Sequence, residues 1–143
     1  MTQNEKDLLL KDLCARLPYE VKFNFNGNVY TLSGIDECVD DIWNWVKCLC
    51  SKRISPIDIK YCKPYLFPLS SMTKEQKNQL KEIWDTDMNK ALDYTISGEE
   101  ELSDLHQFFA AKKVIDWFNK NHFDFNGLIE KGLAIDATGL NIY

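Results

Sequence analysis

Lys63-Pro64-Tyr65-Leu66-Phe67-Pro68-Leu69-Ser70-Ser71-Met72-Thr73 is the stretch on which the fold turns, because the chain changes physical character across it. Pro64 and Pro68 restrict the backbone, and the residues before them, to extended shapes. Tyr65, Leu66, Phe67 and Leu69 can bury against both flanks, and Thr73 is a helix-starting residue. The segment therefore reads as the structural connector of one domain, joining a helix plus β-rich part (residues 1–62) to a helical part (residues 74–143). A chain of 143 residues with 45% hydrophobic residues can bury a core without staples.

Upstream, Val21, Phe23 and Phe25 alternate with Lys22 and Asn24, then Asn26-Gly27 precedes Val29-Tyr30-Thr31-Leu32. Asn-Gly tolerates the positive φ values of a type I′ turn, so the spacing predicts a hairpin in which Phe25 faces Asn28, Phe23 faces Tyr30 and Val21 faces Leu32. Before it, Thr2 with Glu5 forms a capping box, and Leu9, Leu13 and Leu17 recur at helical spacing until Pro18 ends the run. Residues 39–62 fit two patterns. Ile42, Trp45, Val46 and Leu49 suit a helical stripe, whereas Trp43, Trp45, Val46, Cys48 and Cys50, with Ile57-Asp58-Ile59 after Pro56, suit strands. Strands are expected, giving a small, strongly curved antiparallel sheet of about four strands, for which an SH3-like partial barrel is one form.

Downstream, Thr73 with Gln76 makes a second capping box, and Leu80, Ile83, Trp84, Met88, Ala91 and Leu92 trace one helical stripe. Ile96-Ser97-Gly98 breaks it, and Ser97 with Glu100 is expected to cap a further helix whose first turn holds Glu99, Glu100 and Glu101. On that helix Leu102, Leu105 and Phe109 lie on one side, while Ala110, Ala111, Val114, Ile115, Trp117 and Phe118 lie largely on another. Apolar stripes are usually core, so burial of both sides within the fold is the stronger expectation; a bound partner on one of them is the other. Near the end, Asp124 can cap a short turn closed by Gly132, and Tyr143 ends a polar, mobile tail. Strands and helices segregated along the chain argue for an α+β fold: an N-terminal helix, the curved sheet, then a C-terminal helical pair.

The formal charge is −5. Residues 1–72 hold nine Lys/Arg against nine Asp/Glu, and residues 73–143 hold eight against thirteen, so the acidity lies in the second half. Lys52-Arg53 and Lys112-Lys113 are isolated pairs rather than a basic stripe, which disfavours direct nucleic-acid binding. No window reaches the roughly 18 apolar residues of a membrane span, and the polar run Met1–Asp7 lacks the apolar region of a signal peptide. A cytoplasmic chain without membrane partners is expected, and its five cysteines are expected to be thiols.

Catalytic patterns are weak. Cys48-Leu49-Cys50 with Cys38 and Cys62 supplies one close pair where zinc commonly takes two, so no metal is expected. His122 and Asp124 could form a histidine-carboxylate dyad, but a helix end also favours a histidine, and an aspartate caps the following turn. Asp36, Glu37, Asp40 and Asp41 lack the order of a calcium loop and read as solvated. Phosphate-cradling, dinucleotide and nucleophile-elbow motifs are missing, so no cofactor and no catalytic residue is assigned.

Three blocks carry a resemblance: Leu8–Tyr19, Lys63–Thr73, and Asp116–Asp124 continuing through Gly127–Ile135. They resemble blocks shared by short uncharacterised proteins of gut Bacteroidetes and of their phages and prophages, with residues 20–62 and 85–110 divergent. Asn126 departs from the basic residue that the resemblance implies there. The resemblance implies a genomic setting and brings no activity with it. The expectation is a non-enzymatic phage or mobile-element accessory protein that binds a host or phage protein. Trp43, Trp45, Leu102, Leu105 and Phe109 are its candidate contact residues, since aromatic and apolar anchors carry interfaces. The alternative is a small hydrolase or transferase using His122, Asp124 and a cysteine. Self-association into a homo-oligomer is the third.

Overall fold

The computed structural model describes residues 1–39, 44–50 and 53–143, and the side chains of all of these except 37–39, 44–47 and 53–56. The architecture is mixed α+β, with an N-terminal helix, an open sheet dominated by antiparallel pairs, and two later helices. It forms two compact units, one of Met1–Leu69 with His122–Tyr143 and one of Ser70–Asn121. Among the described residues no helix is long and apolar enough to cross a membrane.

In the first unit, α1 (Gln3–Arg16) opens on the expected capping box: Thr2 Oγ1 accepts from the Glu5 N–H, and the Glu5 carboxylate accepts from the Thr2 N–H. The helix buries Leu9 and Leu13 in the core and passes into a single 3-10 turn at Leu17–Tyr19, where Pro18 cannot continue the α-helical ladder. Strands β1 (Lys22–Phe25) and β2 (Asn28–Val39) form the hairpin in the expected register, Phe23 opposite Tyr30 and Phe25 opposite Asn28. Asn26 and Gly27 take φ values of 52° and 79°, as a type I′ turn requires. Strand β3 (Asn44–Cys50) pairs β2, and β4 (Arg53–Asp58) pairs β3, so the strand reading holds for these segments, while Ile59–Tyr61 forms a 3-10 turn instead of continuing the extended piece.

The stretch Lys63–Thr73 departs from expectation. Its first half is β5 (Lys63–Pro68), a strand inside the sheet rather than a connector beyond it. Lys63 and Pro64 pair antiparallel with Asn24 and Phe23. Tyr65 and Leu66 then pair in parallel with β7 (Ile135–Asp136), and Phe67 and Pro68 pair in parallel with β6 (Phe123–Asp124). Proline donates nothing to a ladder, and the β1 pairing stops at Pro64. The sheet runs β4-β3-β2-β1-β5-β6 with β7 also on β5, so it has seven strands among the described residues rather than about four, and it stays open instead of closing as a partial barrel. Its core gathers Leu9, Leu13, Val21, Phe23, Leu32, Cys48, Ile57, Ile59, Leu66 and Leu128.

The segment after residue 121 belongs to this unit and not with the helices. As expected, both Asp124 oxygens accept backbone N–H bonds, from Leu128 and Ile129 at 2.8 Å each, and Gly132 closes the turn with φ 69°. The end of the chain is pinned, contrary to the mobile tail expected. Tyr143 stacks on His122 with ring centroids 3.9 Å apart, donates its hydroxyl proton to the Tyr65 carbonyl, and accepts from the Lys22 N–H. A terminal aromatic ring with a hydroxyl can bury its face and still satisfy its polar tip.

In the second unit, α2 (Lys74–Ser97) starts on the expected Thr73–Gln76 capping box and ends at Gly98, whose φ of 82° suits a residue without Cβ. Helix α3 (Glu100–Lys120) follows at once. Ser97 does not cap it: Ser97 is the last residue of α2 and donates to the Tyr94 carbonyl, while Glu99 takes the cap position with no side-chain cap bond. The reversal uses only Gly98 and Glu99, which leaves Ser97 on the helix before the turn.

Candidate functional site

The two helices of the second unit pack against each other through a seam of small and polar side chains. Asp87, Ala91, Ser103 and Ala110 are buried. Thr95 Oγ1 and Ser103 Oγ share a hydrogen bond of 2.6 Å, and Gln107 donates to Ser103. Lys113 Nζ lies 2.7 Å from Asp87 Oδ2 and holds that carboxyl below the usual carboxylate range. His106 Nδ1 is 3.9 Å from Asp87 Oδ1, beyond hydrogen-bond length, and its ring stacks on Tyr94 at 5.2 Å and meets the edge of Phe109 at 6.1 Å.

Several large apolar side chains of the hairpin are exposed, whereas Leu80, Ile83, Met88, Val114, Trp117 and Phe118 are half-buried. Ile96 is 77% exposed, Phe108 63% and Leu92 58%, with Leu105 at 44%, Phe109 at 39% and Leu102 at 38%. These six fall within residues 92–109, around the turn; Trp84 and Ile115 are exposed farther along the same helices. Between Lys90 and Lys112 the chain carries no Lys or Arg, but it holds Asp93, Glu99, Glu100, Glu101 and Asp104, each of them exposed. An open cleft of about 420 Å³ at the turn is lined by Gly98, Glu99, Glu100, Glu101 and Leu102. The tip of the hairpin is thus acidic and apolar at once. A patch of this kind suits protein recognition, where apolar anchors supply affinity and a charged rim supplies selectivity.

Leu102, Leu105 and Phe109 stand on this exposed tip, so the expectation that both sides of α3 are buried within the fold does not hold for them. Ile96 and Phe108, the most exposed of the set, were not among the sequence candidates; the cation-free interval from Lys90 to Lys112 is the signal that marks them. Trp43 lies outside the described residues, as do Asp40 and Asp41. Trp45 sits on β3 opposite Cys38, its side chain outside the described set.

His122 and Asp124 are both buried in the first unit, yet the Asp124 carboxylate is committed to two backbone N–H groups and His122 Nδ1 has no hydrogen-bond partner among the described residues. Burial pushes the His122 imidazole down to about 4, with Arg16 and Lys22 adding repulsion against its protonation. A base of that strength is neutral at pH 7 and weak. Cys48, Cys50 and Cys62 are buried thiols. Cys62 Sγ donates to the Asp58 carbonyl at 3.6 Å, and its contact with Cys48 and its burial raise it above the ordinary thiol range, away from thiolate chemistry. Among the described residues no three His, Cys, Asp or Glu side chains are grouped to hold a metal ion.

Comparison with protein-family models, with curated proteins and with solved structures finds no match.

Proposed function

We propose that this chain is a non-enzymatic accessory protein of a phage or mobile element that acts by binding a host or phage protein, with the tip of the α2–α3 hairpin as its contact surface. The observation that carries the reading is exposure near the turn: Leu92, Ile96, Leu102, Leu105, Phe108 and Phe109 are all exposed within residues 92–109, while the small and polar residues Ala91, Ser103 and Ala110 are the buried ones there. Exposed apolar residues scattered singly need no explanation, but six around one turn form a patch of the sort that marks an interaction site. The phage setting rests on the resemblance of the three sequence blocks. The hydrolase or transferase reading through His122, Asp124 and a cysteine has less support, since Asp124 caps a turn and the Cys62 thiol is raised above the ordinary thiol range.

The test is affinity capture from a gut Bacteroidetes lysate with the wild-type chain and an Ile96→Ser/Phe108→Ser variant as parallel baits. Both substitutions fall on exposed positions, so folding is retained. A protein held by the wild type and released by the variant supports the reading. Identical captures from the two baits, or none over a range of salt, would overturn it.

A further inference from the structure

Resting on that protein-binding reading, the charge pattern of the tip says what kind of partner it takes. We infer that the hairpin tip docks a basic amphipathic helix, one whose apolar stripe is flanked by Lys or Arg. Two observations meet at one place. The exposed side chains of Leu92, Ile96, Leu102, Leu105 and Phe108 supply an apolar surface. The exposed carboxylates of Asp93, Glu99, Glu100, Glu101 and Asp104 are interspersed with it along the chain, with no Lys or Arg from 91 to 111.

The same charges argue against other occupants. Two copies meeting tip to tip would bring five carboxylates against five, and like charges placed opposite each other cost several kcal/mol at an interface. An anionic lipid surface repels the tip for the same reason, since such membranes attract Lys and Arg. A helix with an apolar stripe alone would leave the carboxylates with no favourable partner. A helix that adds cations on either side of the stripe gains attraction at long range and anchors at short range. The open cleft beside Glu99, Glu100 and Glu101 gives a cationic side chain a place among three carboxylates.

The probe is a synthetic peptide of about 18 residues with Leu at i, i+3, i+4 spacing and Lys elsewhere, beside a control of the same Leu pattern with Glu for Lys. Binding to the full chain is read by fluorescence anisotropy over a salt series. The Lys peptide is expected to bind and to weaken with salt. A Glu99→Gln/Glu100→Gln/Glu101→Gln variant and the Ile96→Ser/Phe108→Ser variant should each weaken it about 10-fold. Equal binding of the Glu peptide, or no loss with either variant, overturns the proposal. Flotation with phosphatidylcholine–phosphatidylserine vesicles, or a dimer in sedimentation that Ile96→Ser/Phe108→Ser abolishes, overturns it in favour of a membrane or a second copy. Lysate capture with the same variants separates the two levels. A partner lost with Ile96→Ser/Phe108→Ser but kept by the Gln variant upholds protein binding and overturns the basic partner, whereas a partner kept by both overturns both readings.

Discussion

Asp12→Ala should be among the most damaging single substitutions in the first unit, though neither Asp12 nor its partner belongs to any apolar stripe. Asp12 and Arg16, one helical turn apart on α1, both have fully buried side chains. Arg16 Nε donates to Asp12 Oδ2 at 2.7 Å and Nη2 to Oδ1 at 3.0 Å, while Nη2 also donates to the Phe123 carbonyl at 2.8 Å. Asn126 Nδ2 donates to Asp12 Oδ1 at 2.9 Å. The pair therefore ties α1 to the returning segment 123–126. Removing the carboxylate leaves a buried guanidinium with one carbonyl for company, a loss of about 3–5 kcal/mol for breaking a buried ion pair from one side. At a typical urea m-value of about 2 kcal/mol/M the unfolding midpoint should fall by roughly 2 M. Replacing both partners with apolar groups, Asp12→Leu/Arg16→Met, removes both desolvation costs; the Phe123 carbonyl keeps the Phe125 N–H, and the Asn126 amide loses its acceptor, which costs about 1–3 kcal/mol. The double variant should then be more stable than Asp12→Ala, with a coupling energy of about 2 kcal/mol or more. Urea unfolding followed by both circular dichroism and tryptophan fluorescence reads wild type, Asp12→Ala, Asp12→Leu, Arg16→Met and the double variant, and checks that the transitions coincide. A loss under about 1 kcal/mol for Asp12→Ala, or single-variant costs that simply add, would show that the pair does not lock the segment.

Three further outcomes follow. His122 is neutral when folded and its imidazole is lowered from 6.5 to about 4, so its contribution is complete above about pH 6.5 and drains away as pH falls towards 4; the amount is on the order of 3 kcal/mol. His122→Asn, chosen because φ is 57° there and asparagine tolerates that region, should flatten the acid limb of a stability–pH profile, and an unchanged limb would show that His122 is not its source. Asp124→Ala strips two charged backbone caps in a buried turn and should cost about 2–4 kcal/mol by urea denaturation, with a loss under about 1 kcal/mol counting against the capping role. Thr73→Ala removes one half of the α2 capping box and should lower stability by about 1 kcal/mol, seen as a modest shift in thermal midpoint.

Local chemistry made much of this fold legible. The two capping boxes, the Asn26-Gly27 turn, the hairpin register and the Asp124 cap each depend on residues within about a dozen positions of one another, and each is observed. Apart from the Ser97 cap, which the turn at Gly98 and Glu99 displaces, the misses in the fold are long-range. Nothing near Lys63–Pro68 announces that β6 and β7, from residues more than fifty positions later, will lie parallel against it. Parallel pairing needs no turn and leaves no turn signal. Tyr143 likewise reads as the end of a polar tail until Lys22, Tyr65 and His122 are brought to it. Asp12 and Arg16 show the converse: beside Leu9 and Leu13 they look like a solvated helix pair, and only a carbonyl and an amide over a hundred residues away make their burial tolerable.

The interaction surface was half visible for a related reason. A helical wheel marks Leu102, Leu105 and Phe109 as apolar, and the usual inference sends such residues inward. In a two-helix hairpin the seam is narrow, and here the buried positions nearest the turn, Ala91, Ser103 and Ala110, are small, so they do not draw Leu102, Leu105 and Phe109 fully inward. The five carboxylates at the turn act on the same surface from the other direction: charge around exposed apolar side chains keeps copies of the chain apart while leaving the surface open to a partner of opposite sign. Exposed apolar side chains and exposed carboxylates thus share residues 92–109, and the proposed contact would draw on both.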